Sequence, residues 1–208
     1  MKRLGLILFT IIITTILSAQ DIQLPKPTRT GGMPLMEALD ARKSDRAFSD
    51  KELSDQTLSD LLWAAWGFNR EDKRTAPSSR NRQEIDVYVS LQKGLYLYDA
   101  KNNVLKQISK EDIRSTTGVI QQLFVKNAPV NLIYVSNKNK ITGKSEEDLI
   151  AATYANTGFI SQNVYLFCAS EGLNTVVRAM FDKEKLAKKM NLGKDQIVTL
   201  TQTVGYPK

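Results

Sequence analysis

The 208-residue sequence predicts an α+β fold, and three observations carry that expectation. The run Ile85-Asp86-Val87-Tyr88-Val89-Ser90-Leu91 alternates as a half-buried strand does. Two turns follow it, at Gln92-Lys93-Gly94 and at Asp99 to Asn103, so Leu95-Tyr96-Leu97-Tyr98 and Val104-Leu105-Lys106-Gln107-Ile108 complete an antiparallel meander. Helical patterns lie before and after this meander without alternating regularly with strands, which argues against a doubly wound sheet.

Taken in order, Asp21 to Gly32 holds Pro25, Pro27 and Gly31-Gly32 and reads as part of an extended arm over 20–32. A helix starts near Pro34, with apolar residues at 35, 36 and 39, and runs to Arg42. Ser54 caps the next helix, whose stripe is Leu58, Leu61, Leu62 and Ala65 and which ends at Gly67-Phe68-Asn69. After the meander, Glu111 to Phe124 is helical in character, although Thr116-Thr117-Gly118 weakens its middle. Val130 to Val135 is a buried strand, and Glu146 to Gly172 is a long helix or two nearly continuous ones. Thr175-Val176-Val177 is a short strand, Lys183 to Met190 a helix, and Ile197 to Val204 the last strand.

The first 19 residues read as a targeting segment. Met1-Lys2-Arg3 is a basic lead, Leu4 to Leu17 an apolar run, and Ser18-Ala19-Gln20 offers a cleavage site. The run is shorter than the ~20 residues of a spanning helix, so cleavage, export to a periplasm and no stable membrane insertion are expected. The remaining 33–208 is long enough for one domain with a substantial core.

Composition removes whole classes of chemistry. There is no His, which excludes Ser-His and Cys-His catalysis and most zinc sites. The one cysteine, Cys168, sits in the apolar run Val164-Tyr165-Leu166-Phe167-Cys168-Ala169 and reads as a small buried hydrophobe. Without Lys2 and Arg3 the chain has 27 basic and 22 acidic residues, a net charge of +5. The Lys residues near 183 to 194 alternate with Asp and Glu as on a solvated face, so no nucleic-acid partner is expected.

Two segments point to a phosphate-bearing planar cofactor. Arg42, Lys43, Ser44 and Arg46 combine guanidiniums suited to bidentate phosphate contact with a hydroxyl. The alternative is a solvated charged turn. Pro77-Ser78-Ser79-Arg80-Asn81-Arg82-Gln83 is a polar turn opening into the alternating strand, and by itself reads equally as a capped turn.

At these residues the chain resembles the nitroreductase family. Arg42-Lys43-Ser44-Asp45-Arg46-Ala47-Phe48 resembles its R-x-S-x-R-x-F opening, and Leu58 to Ala65 the helix that follows. Pro77 to Gln83 resembles its P-S-x-x-N-x-Q segment, Thr157 to Leu166 its central helix, and Val204-Gly205-Tyr206-Pro207 its closing strand. The Gly94-Leu95-Tyr96-Leu97-Tyr98 hairpin is similar to the branch related to azoline dehydrogenases.

The resemblance implies a nitroreductase-like α+β fold with a central, mainly antiparallel sheet flanked by helices. It also implies a homodimer with two FMN sites, each built from both subunits. Arg42, Ser44 and Arg46 would hold the phosphate and ribityl side, with Lys43 contributing backbone. Pro77, Ser78, Ser79 and Asn81 would reach the flavin from the partner, with Gln83 at the pyrimidine edge. Arg178 would place a cation near the flavin, the alternative being a surface salt bridge, and Lys208 stands where the family carries a basic tail. The small residues of the central helix would allow close approach by a neighbouring helix, the alternative being an ordinary core helix. The implied activity is oxidoreduction of a small organic substrate, with NAD(P)H as a candidate donor. A flavin-binding protein with little or no turnover is the competing expectation.

Overall fold

A computed structural model describes residues 20–141 and 145–208; the targeting segment expected at 1–19 lies outside the described residues. In chain order the elements are β1 (Ile22–Gln23), α1 (Leu35–Ala41), α2 (Asp55–Trp66), β2 (Phe68–Arg70), β3 (Lys73–Arg74), β4 (Ile85–Leu91), β5 (Gly94–Asp99) and β6 (Val104–Ser109). They continue with α3 (Phe124–Asn127), β7 (Val130–Asn137), α4 (Glu146–Ser170), β8 (Asn174–Arg178), α5 (Lys183–Lys189) and β9 (Gln196–Gly205). Seven strands form one sheet in the order β1-β6-β5-β4-β7-β9-β8, and each of its ladders is antiparallel. The α+β expectation holds.

Local chemistry accounts for most elements. Ser54 caps α2 by accepting from the Thr57 amide at 3.0 Å, and Leu58, Leu61, Leu62 and Ala65 all face the core. The β4–β5 connection is two residues, with Leu91 opposite Gly94. Gly94 has φ +143°, and a Cβ there would lie 2.3 Å from the Ser109 carbonyl oxygen, so glycine is required. The arm is extended as expected and adds β1 to the outer edge of β6.

The sheet carries a layer on each face. Leu132, Tyr134, Val87 and Val89 pack with α2 and α4, while Ile133, Val135 and Tyr88 pack with Phe181, Leu186 and Met190 around α5. A bulge in β9, between the pairs Val135–Val198 and Ile133–Thr201, gives that strand an extra residue. Thr199 then bonds Thr157 of α4, whereas Thr201 bonds the Thr117 carbonyl.

One expected helix is absent. Between Glu111 and Phe124 the chain makes only a single 3₁₀ turn, Arg114–Thr117, and α3 starts where the helix was expected to end. The carbonyl of Thr117 accepts from Arg178 and Thr201, so the sheet takes an oxygen that a helix would have used. A second difference is the short β2–β3 hairpin at Phe68–Arg74, where the sequence pattern shows only a helix end.

Asp99 closes β5 and bonds Lys106 across the ladder at 2.7 Å, with further bonds from Lys101 and Asn102. Burial raises its carboxyl, but Lys106 and Asn102 outweigh this and hold it at about 2. A lowered folded value means stability present above the unfolded value near 4 and lost as pH falls towards 2. After discounting for solvent screening, Asp99→Asn is expected to remove about 1 kcal/mol at neutral pH and flatten the acid limb below pH 4. Matching denaturation curves for both proteins from pH 7 to pH 2 would refute this.

Candidate functional site

The Arg42 segment owes its position to a sheet edge. β8 is the last strand, and its free side would invite pairing with another chain. As α1 ends, Arg42 turns extended and the chain runs along that edge. The Asp45 amide donates to Thr175 O at 3.0 Å, Asn174 Nδ2 donates to Ala47 O at 2.7 Å, and Ser49 N donates to Tyr206 O at 3.0 Å.

Side chains fix the segment further. Ser44 Oγ and Tyr165 Oη lie 2.7 Å apart, and Tyr165 Oη accepts from the Val177 amide at 3.0 Å. The Arg42 guanidinium stands 5.3 Å from the Tyr165 ring centroid, a cation–π contact. Asp45 folds its carboxylate back onto its own segment: the Ala47 amide, with Lys43 and Arg46, lowers its pKa, and Lys43 Nζ lies 3.5 Å away. Arg42 and Arg46 make no ion pair among the described residues. Tyr165 therefore brings the uncompensated Arg42 guanidinium and the Ser44 hydroxyl together, and Arg46 follows Ser44 by two residues along the same segment. A cavity of about 370 Å³ lies beside the segment, lined by Lys43, Tyr165, Asn174, Thr175 and Pro207 but not by Arg42, Ser44 or Arg46. Lys208 follows Pro207, which bridges to Phe48, so the structure brings this exposed lysine to the same end of the molecule.

The Pro77 segment is a second, separate cluster. Arg80, Asn81 and Gln83 have φ of 54°, 54° and 51°, left-handed values that cost non-glycine residues energy. Hydrogen bonds hold them there. Ser78 Oγ accepts from the Gln83 amide at 3.0 Å, and Asn81 Nδ2 donates to Asp72 O at 3.1 Å. Gln83 Nε2 donates to Asp72 O and Asn81 Oδ1, while its Oε1 accepts from Arg74 Nε at 2.8 Å. Gln83 thus clasps the loop and has both amide donors committed. Pro77 is exposed, and the Ser79 hydroxyl has no partner among the described residues. No hydrogen bond joins this loop to the Arg42 segment among the described residues. The loop meets α4 at Asn156 and the Arg42 segment meets it at Tyr165, about 13 Å further along the helix.

Arg178 stands elsewhere than on the surface. It is 5 % exposed at the end of β8, which overturns the surface salt bridge as an alternative. Its Nη1 donates to Thr117 O, and its Nη2 donates to Asn131 Oδ1 at 3.0 Å and Thr203 Oγ1 at 2.7 Å. No carboxylate is paired with it among the described residues, and Nε has no partner. Burial lowers its pKa to about 10.

Several residues at these sites had no role in the sequence reading. Tyr165 anchors Ser44, Asn156 accepts from the Ser79 amide at 3.4 Å, and Arg74 stacks on Phe68 and Trp66. Polar residues in apolar stretches were the available signal for Tyr165 and Asn156. Cys168 is buried with its thiol pushed up by burial, as expected of a core residue. The small residues of α4 divide: Ser161 faces the core, whereas Ala155 is exposed.

The nitroreductase family profile matches residues 39–206. A solved structure from Ralstonia eutropha JMP134, provisionally named a nitroreductase, is 41 % identical over 90 % of each chain with a TM-score of 0.85. A protein of Methanocaldococcus jannaschii with the same provisional name is 29 % identical over 174 residues, 79 % of this chain and 86 % of that one. The E. coli microcin synthetase complex, solved with a truncated pro-microcin bound, shares the fold at 21 % identity and a TM-score of 0.69, over 89 % of this chain and 77 % of that one. The chain belongs to the nitroreductase family.

Proposed function

We propose that the chain is an exported, FMN-dependent oxidoreductase that works as a homodimer on a small organic substrate. The observation that carries this is the pair of guanidiniums, Arg42 and Arg46, that flank Ser44 in the chain and have no carboxylate partner among the described residues. That donor set fits a phosphate. Tyr165 supports the fit, because either hydroxyl of the Ser44–Tyr165 pair can be the donor, and with Tyr165 Oη donating the Ser44 proton is free for an anion. Lys43 and Lys208 add positive charge at the same end, and Arg178 would stand as the buried cation nearest the ring system.

When bound, FMN supplies hydride and electron chemistry between a donor such as NAD(P)H and an organic acceptor. The chain's own groups bind and orient. No side chain need act as a nucleophile, in keeping with the missing His and the buried Cys168.

The homodimer rests on α4. From Leu149 to Ser170 it carries no charged residue, yet Ala151, Ala155, Phe159 and Gln162 are exposed at helical spacing. Leu35, Met36 and Leu39 of the neighbouring α1 are exposed as well. A second copy would cover this face and bring its Pro77 loop, with the free Ser79 hydroxyl, towards the Arg42 segment. Export rests on the basic lead and apolar run of the first 19 residues.

Reconstituted protein is expected to turn yellow with about one FMN per chain, and Arg42→Ala to weaken FMN binding about thirtyfold while staying folded. Tyr165→Phe, which leaves Ser44 unanchored, is expected to cost about threefold. A protein that takes up no FMN, or an Arg42→Ala variant that binds it normally, would overturn the reading. Bleaching by NADH and recovery with a quinone or nitroaromatic then separates an enzyme from a flavin-binding protein with little turnover.

A further inference from the structure

Glu84 is 1 % exposed, directly after the strained Pro77–Gln83 loop. Its Oε1 accepts from Asn156 Nδ2 at 2.6 Å, and its Oε2 has no partner among the described residues. No cation is paired with it there. An apolar residue of similar size would serve stability better than a buried carboxyl group with one bond. Its role lies in what that bond holds.

Asn156 is 3 % exposed on α4 and turns inward between the exposed Ala155 and Phe159. Its Oδ1 accepts from the Ser79 amide, so with its Nδ2 on Glu84 the amide is pinned in one orientation. Asn81, Gln83 and Ser78 bond within residues 72–83, Arg74 bonds Gln83 and the Trp66 carbonyl at the end of α2, and Lys140 reaches the Gln83 carbonyl at 3.5 Å. Asn156 is the side-chain tie from the loop to α4 among the described residues.

We propose that Glu84, acting through Asn156, is a positioning residue that ties the Pro77–Gln83 loop to the interface helix and sets where the Ser79 hydroxyl is presented. Glu84 fixes which way the Asn156 amide faces, and that amide fixes the loop's one backbone donor to α4. The left-handed residues Arg80 and Asn81 then hold their strained conformation against a rigid helix rather than a mobile turn. The consequence for cofactor binding rests on the FMN reading above; the tie itself does not.

The test uses Asn156→Asp, which removes the donor facing Glu84, and the double substitution Glu84→Gln with Asn156→Asp, which restores a donor from the other side. In apo protein, Asn156→Asp is expected to speed trypsin cleavage after the exposed Arg80 about tenfold, and the double variant to return it to within about threefold of the parent. FMN titration is expected to follow the same order, about tenfold weaker and then recovered. Glu84→Gln alone keeps an acceptor for Asn156 and is expected to change neither by more than about threefold. Unchanged cleavage in a folded Asn156→Asp variant, or a double variant no better than the single one, overturns the proposal. If Asn156→Asp does not fold, hydrogen exchange in the parent decides: a Ser79 amide exchanging as fast as a free surface amide also overturns it. A parent that takes up no FMN defeats the functional reading, while the cleavage assay still judges the tie.

Discussion

Replacing Arg178 with methionine is expected to lower the unfolding free energy by about 3 kcal/mol, although the two side chains are similar in length. The guanidinium satisfies Thr117 O, Asn131 Oδ1 and Thr203 Oγ1 in the interior. Methionine would leave Thr203 Oγ1 without its donor and Thr117 O and Asn131 Oδ1 with only Thr201 and Thr203, and each hydrogen bond lost from a charged group costs about 1.5 kcal/mol or more. The Thr203 hydroxyl already donates to Asn131, so rearrangement within the cluster supplies no replacement. Arg178→Lys keeps the charge but not the fork, and about half the loss is expected. For a domain of this size the methionine variant should melt roughly 6–12 °C lower. Equal melting temperatures would mean that the cost of burying the cation cancels everything it bonds.

Phe159→Glu is expected to raise the dimer dissociation constant about a thousandfold. In a two-fold interface the substitution occurs twice, so two carboxylates would be desolvated in a surface that has no charge from Leu149 to Ser170. Phe159 is 47 % exposed in the single chain and makes little of the core, so the monomer should remain folded. Sedimentation velocity across a concentration series reads the effect, with Lys185→Glu on α5 as a control expected to leave assembly unchanged. Flavin retention should fall with dimerisation, because each site would draw on both copies. A variant that still dimerises as the parent does would place the interface somewhere other than α4.

Much of the fold was open to direct reading. The Ser54 cap and the stripe of Leu58, Leu61, Leu62 and Ala65 specify α2 by local rules, and the alternation of Ile85 to Leu91 does the same for β4. The helix expected between Glu111 and Phe124 failed because Arg178 and Thr201, distant in sequence, take the Thr117 carbonyl. The β2–β3 hairpin escaped notice because its strands are two and three residues long and held by Arg74 stacked on Phe68 and Trp66.

The candidate site divides along the same line. Residue type alone marked Arg42, Ser44 and Arg46, because guanidiniums and hydroxyls carry their chemistry wherever they stand. Ser78, Ser79, Asn81 and Gln83 were marked by motif, but Ser78, Asn81 and Gln83 bond within their own loop and leave the Ser79 hydroxyl as the one without a partner among the described residues. The missing histidine excluded Ser-His and Cys-His catalysis and most zinc sites before any coordinate was known, and the lone cysteine read as a core residue. Short-range pattern determined the element types, the chemistry ruled out and the cationic segment, since each depends on neighbours within a turn or two of chain. Only the tertiary structure decided that Arg178 is buried, that Tyr165 orients Ser44 and that Glu84 reaches the loop through Asn156. Those contacts join residues from 12 to 121 positions apart, and at that separation burial and hydrogen-bond partners follow from packing rather than from local propensity.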